Sequence, residues 1–128
     1  MSEDEKFQRI KQFVEGRIDS VEQLHVLILL RGDAKQSWTI PSISEELRST
    51  PSSVEMRLRK LVDKKVLAEN AFEGEKILYR PFSEETDQCV GELIDYFREK
   101  PYRVMDIIFS QPRDAIHTLA NAFRFRKE

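Results

Sequence analysis

His25, His117 and Cys89 are the only histidines and the only cysteine of the chain, and they bound the catalytic chemistry open to it. One cysteine cannot form an intrachain disulfide, a CxxC redox pair or a thiolate zinc cage. His25 lies in the most apolar stretch, Val21 to Leu30, where a histidine reads as a satisfied core residue before it reads as a ligand or base; His117 has no partner. Glu84, Glu85 and Asp87 are carboxylates of the kind that share acid–base work, but at the start of a helical pattern they complement the helix dipole and stay solvated. Cys89 falls on an apolar stripe and reads as a small packed side chain, not a redox-sensing thiolate. The aromatic residues Phe97, Tyr102, Phe109, Phe123 and Phe125 read as core or interface. The 4 glycines form neither a GxGxxG nor a P-loop, so the familiar phosphate cradles are absent from the sequence. No catalytic residue, metal site or cofactor is expected, and the composition favours a binding module over an enzyme.

The other chemistry on offer is recognition of an anion by a basic helix face. Between Pro51 and Lys64, spacing residues at about 100° gathers Val54, Leu58, Leu61 and Val62 on one side. Opposite them fall Ser52, Ser53, Met56, Arg59, Lys60 and Asp63, with Arg57 and Lys64 on one flank and Glu55 on the other. Serine hydroxyls and first-turn amides meet phosphate, arginine forks onto guanine, and methionine touches a thymine methyl. The alternative is an ordinary solvated helix face. Charge argues for a local patch only: 21 Lys and Arg stand against 23 Asp and Glu, and residues 37 to 82, with 8 positive and 7 negative groups, form the one net basic third. Glu73 and Glu75 flank Gly74, and only Lys76 and Arg80 offset them nearby. Any DNA affinity is therefore expected to be weak, with a shallow salt slope.

These side chains need elements to place them. At 128 residues and 40% hydrophobic, the chain suits a single domain over 1–128. The longest apolar run, Val26 to Leu30, is far short of the roughly 20 residues that span a bilayer, and the acidic start lacks a signal-peptide n-region, so a cytoplasmic protein without a membrane partner is expected. Phe7, Ile10 and Val14 predict an amphipathic helix over 3–15 ended by Gly16, and Asp19 or Ser20 caps a second helix buried nearly all round. After the β-prone triplet Trp38-Thr39-Ile40, Pro41 opens a helix over about 41–48 with a Ser42–Glu45 capping box. Thr50-Pro51 opens the basic helix over 51–64, and residues 66–82 predict a hairpin turning at Gly74. Helices over 84–100, 102–110 and 113–124 follow, with a fraying tail from Arg124.

The run Thr39-Ile40-Pro41-Ser42-Ile43-Ser44-Glu45-Glu46-Leu47, then Thr50-Pro51-Ser52-Ser53-Val54, then Leu58, Leu61, Lys65 and Val66-Leu67, resembles the winged helix-turn-helix of bacterial regulators of the MarR, ArsR and PadR types. The resemblance covers residues 21–82. It implies a mainly α fold with a small β-hairpin wing, extended by an N-terminal helix over 1–20 and C-terminal helices over 83–128 that build a homodimer. It also implies a DNA-binding transcriptional regulator whose recognition helix, 51–64, enters the major groove of double-stranded DNA, with Ser52, Ser53, Met56, Arg57, Arg59, Lys60, Lys64 and Lys76 as the contacting residues. No small-molecule effector is assigned. Arg48 and Lys65 depart from the pattern by standing where glycine is usual; since a left-handed residue other than glycine costs about 1 kcal/mol, an altered turn is expected. The stripes of Phe7, Ile10 and Val14 and of Leu93, Ile94 and Phe97 exceed what a core of roughly 60 residues covers, which points to a dimer through these helices. A winged helix serving protein interaction is the alternative, supported by the acidic balance and the acidic hairpin tip.

Overall fold

Capping residues set most of the helix starts. A computed structural model of the chain describes residues 2–111, and its elements are mainly helical with one small antiparallel sheet. In α1 (Glu3–Val14) Ser2 and Glu5 form a reciprocal capping box. Ser20 Oγ accepts from the Gln23 N–H at 3.0 Å to start α2 (Val21–Gly32), and Gly16, at φ 88°, makes the turn between the two helices. The helix expected over 113–124, the tail from Arg124, and His117, Phe123 and Phe125 lie outside the described residues.

The third helix begins earlier than its proline suggests. Trp38 exchanges backbone hydrogen bonds with Ile77 at 2.8 and 2.7 Å, which holds it extended. Once the chain leaves that bridge, Thr39 takes the cap of α3 (Ile40–Leu47) and pairs reciprocally with Ser42, in place of the expected Ser42–Glu45 box. Thr50 caps α4 (Pro51–Asp63) as expected.

Both helices end in the same device. The Ser49 N–H donates to the Ser44 carbonyl and the Val66 N–H to the Leu61 carbonyl, each at 2.9 Å. These six-to-one closures require a left-handed residue between. Arg48 supplies it at φ 56° and Lys65 at φ 62°. The expectation of an altered turn is thus corrected: the turns have the glycine geometry, and two basic residues carry its cost of about 1–2 kcal/mol each.

The hairpin is shorter in regular pairing than residues 66–82 predict. A single 3-10 turn over Glu69–Ala71 interrupts it, leaving β1 (Phe72–Glu73) and β2 (Lys76–Ile77), with Phe72 opposite Ile77 and Glu73 opposite Lys76. Gly74, at φ 61°, makes the tip. The ribbon resumes at its base, where Ala68 and Phe82 donate to Arg80 and Val66.

Two further helices, α5 (Glu84–Glu99) and α6 (Pro101–Ser110), pack with α1. One continuous core joins this layer to α2, α3, α4 and the hairpin. Ile10, Val14, Leu93 and Ile94 are at most 3% exposed, so most of the apolar surface that pointed to a dimer is covered within one chain. The reason is that the chain turns at Pro101 so that α5 and α6 pack on each other and bring their own apolar stripes, including Val104 and Ile108, to α1.

A polar cluster fastens the hairpin to both layers. Arg31 Nε of α2 donates to Asp87 of α5 at 3.0 Å, and the Tyr79 hydroxyl donates to the same Asp87 oxygen. Gly91 makes room for this, because a Cβ there would stand 2.8 Å from the Arg31 guanidinium. The Tyr79 hydrogen bond, with the Arg31 charge, holds the Asp87 carboxyl below its ordinary value, against partial burial. Asp87 therefore corrects the expectation of a merely solvated helix-start carboxylate. Asp87→Ala is expected to cost about 1 kcal/mol, less than is usual for charged hydrogen bonds because the carboxylate is partly in water. Urea unfolding of the two proteins at neutral pH measures it.

Candidate functional site

The apolar side of α4 decides what its other side can present. Val54, Leu58 and Leu61 are fully buried against α2 and α3. This orientation leaves Ser52, Met56, Arg59 and Asp63 exposed in one line along the helix, with Met56 46% accessible.

The flank facing α2 is occupied by two carboxylates. Glu22, in the first turn of α2, accepts from the Ser49 hydroxyl of the α3–α4 turn, from Ser53 Oγ at 2.6 Å and from Arg57 Nε at 2.9 Å. Burial alone would raise the Glu22 carboxyl, but these three donors hold it below its ordinary value. One residue before the α2 cap, Asp19 accepts from Lys60 Nζ at 2.6 Å. Of the eight residues expected to form the interface, Ser53, Arg57 and Lys60 thus turn their polar ends toward the body of the protein, and Ser52, Met56, Arg59, Lys64 and Lys76 are exposed. Nothing in the local pattern of α2 marks Glu22 or Asp19 as partners of a helix 35 and 41 residues away.

Arg59 joins α4 to the hairpin. Its guanidinium donates twice to Glu55 at 3.2 and 3.3 Å and lies 4.6 Å from the centre of the Phe72 ring. Together with Thr39, Pro41 and Glu75 it lines an open groove of about 240 Å³ between the start of α3 and the hairpin tip. Glu73 is paired with Arg80 at 3.2 Å, and Arg80 also donates to the Asn70 carbonyl at 2.7 Å, so the charge of Arg80 is spent within the ribbon. The outward surface of α4 and hairpin is therefore mixed in sign, with Arg59, Lys64 and Lys76 against Glu55, Asp63 and Glu75.

The remaining candidates take plain roles. His25 is exposed and sets its ring edge-on to Phe97 with centroids 6.2 Å apart, which corrects its reading as a core histidine: α2 buries the sides bearing Leu24 and Leu27, and position 25 falls between them. Tyr102 and Phe109 are 82% and 61% exposed, so neither is a core residue. Cys89 is half-buried and lines an opening of about 420 Å³ with Arg9, Phe13, Arg17 and Glu92. Burial, reinforced by Glu92, pushes its thiol up and keeps it protonated. Cys89→Ala is expected to cost about 1 kcal/mol and to leave peroxide sensitivity unchanged, as thermal unfolding before and after oxidant would show. Among the described residues no cluster of His, Cys, Asp and Glu has the geometry to hold a metal ion, and no helix is long and apolar enough to cross a membrane.

Comparison of the chain with protein-family models, with curated proteins and with solved structures finds no match.

Proposed function

We propose that this chain is a winged helix-turn-helix protein that binds double-stranded DNA as a cytoplasmic transcriptional regulator, with α3 and α4 as the helix-turn-helix, the hairpin as its wing and α4 as the recognition helix. The observation that carries the reading is the presentation of α4. Its inner face is buried, its flank is clamped to Glu22 and Asp19, and Ser52, Met56 and Arg59 are left outward on a helix whose start is capped by Thr50. In this reading Ser52 meets phosphate near the first-turn amides, and Arg59 and Met56 meet base edges. Lys64 and Lys76 supply phosphate contacts, whereas Arg57, Lys60 and Ser53 hold the helix in place. The protein acts as a homodimer through a surface other than the stripes of α1 and α5 that the chain covers itself, so that two copies of α4 reach half-sites about one turn of DNA apart.

A second reading, a winged helix that docks a protein, is favoured by the exposed Met56 and by Glu75 at the hairpin tip. Selection from a pool of random duplexes near 50 mM salt separates the two. The DNA reading expects an enriched sequence with two related halves, and binding that falls with salt along a shallow slope. Absence of enrichment under these conditions would assign the face to a protein partner.

A further inference from the structure

A trough runs along α1 on the side that borders α5. Toward the C-terminal end of α1, Ile10 and Phe13 with Cys89 of α5 line the opening of about 420 Å³. Arg9 and Gln12 border it and also line, with Asp4, Glu5 and Gln8, a second opening of about 580 Å³ nearer the start of α1. The far end of the trough is acidic, because Glu3, Asp4 and Glu5 fill the first turn of α1. Lys100 meets Glu3 at 3.0 Å, whereas Asp4 and Glu5 form no ion pair among the described residues. The chain that follows α6 starts at the other end. The Gln111 side-chain amide donates to the Ile18 carbonyl at 2.7 Å and accepts from the Gly16 N–H at 3.2 Å, which ties it to the turn where α1 ends.

We infer that residues 112–128 of the same chain lie back along α1 and cover this trough. The segment matches it in length, polarity and charge. The helix that the sequence predicts over 113–124 is about 18 Å long, which is also the length of α1 with its 12 residues. Running antiparallel to α1 from Gln111, it brings Ile116 level with Phe13 and Cys89, and Leu119 level with Ile10. Ile116, Leu119 and Phe123 fall on one stripe of that helix, so a single face meets the opening between α1 and α5. The same register carries Arg124, Arg126 and Lys127 to the acidic first turn of α1. The inference assigns this segment to the cover of its own chain, not to the dimer that the resemblance implies, and it does not depend on what α4 binds.

The test uses the full chain, in which Cys89 is the single native thiol. Ile116→Cys is oxidised with copper–phenanthroline beside Thr118→Cys, which stands on the opposite side of the predicted helix. The first is expected to close a disulfide with Cys89 at the mass of one chain, in a yield that dilution leaves unchanged, and the second to keep its thiols free. Alkylation of Cys89 by N-ethylmaleimide supplies an independent readout. The Arg124→Glu/Arg126→Glu form should react roughly 3- to 10-fold faster than the parent, the shift in opening that two surface ion pairs can produce. Asp4→Lys should also react faster, and joining it to Arg124→Glu should return the rate toward that of the parent. An Ile116→Cys form that leaves Cys89 free, or a Thr118→Cys form that cross-links as readily, overturns the inference. A cross-link found at twice the chain mass and lost on dilution does so too, since it seats the segment in the trough of a second copy. Charge changes that leave the alkylation rate at the parent value likewise overturn it.

Discussion

Replacing Glu22 by glutamine is expected to lower the free energy of unfolding by about 2 kcal/mol at neutral pH. The side chain is 23% exposed and receives donors from the α3–α4 turn and from two positions of α4. An amide offers one acceptor oxygen in place of two, presents an N–H₂ toward donors, and leaves the Arg57 guanidinium, 21% exposed, without its counter-charge. The expected effect depends on pH with a definite sign. Because the folded carboxyl titrates below its ordinary value, its contribution is complete above the unfolded value near 4.5 and is lost as pH falls through the folded one. Urea unfolding of parent and variant from pH 7 downward should show a gap that is constant at neutral pH and closes in acid. A gap that persists undiminished below pH 3 would mean that the carboxylate charge is not what fastens α4.

The second large effect concerns binding. If α4 reads DNA as proposed, Arg59→Ala is expected to weaken binding by about 1–3 kcal/mol and to relax sequence preference at one position of the site, as loss of a forked base contact would. Stability should fall by less than about 1 kcal/mol, since the ion pair with Glu55 is exposed and the stacking on Phe72 lies at the surface. Arg57→Ala should behave in the opposite way, with a clear loss of stability and a salt slope close to that of the parent. The same titrations report both variants. If Arg59→Ala bound every sequence as the parent does while Arg57→Ala reduced the slope, the division of labour between the outward face and the clamped flank would be reversed.

Much of the architecture is legible in the sequence because its signals are local. Ser20 and Thr50 announce helix starts within three residues of the amides they cap. The stripe Val54, Leu58 and Leu61 states which side of α4 is inward, and Gly74 states where the hairpin turns. Where the local reading slips, a contact across the chain intervenes: the Trp38–Ile77 bridge moves the cap of α3 from the expected residue to Thr39.

The candidate surface divides along the same line. Helical spacing by itself determines that Ser52, Met56 and Arg59 lie opposite the apolar stripe and that Arg57 lies on a flank. Whether a flanking cation faces solvent or a carboxylate was decided only by the tertiary structure, because the partners Glu22 and Asp19 arrive from another helix whose apolar pattern carries no trace of α4. In the same way the stripes of α1, α5 and α6 are plain in the sequence, but periodicity records only that a face must be covered. Chain folding chooses the cover, and here it is α5 and α6 turning back on α1 within one molecule. Backbone strain at Arg48 and Lys65 belongs to the same class: residue type says that glycine is missing, and only the packing of α4 against α2 and α3, which demands tight six-to-one closures at both ends, forces a basic residue into the left-handed region.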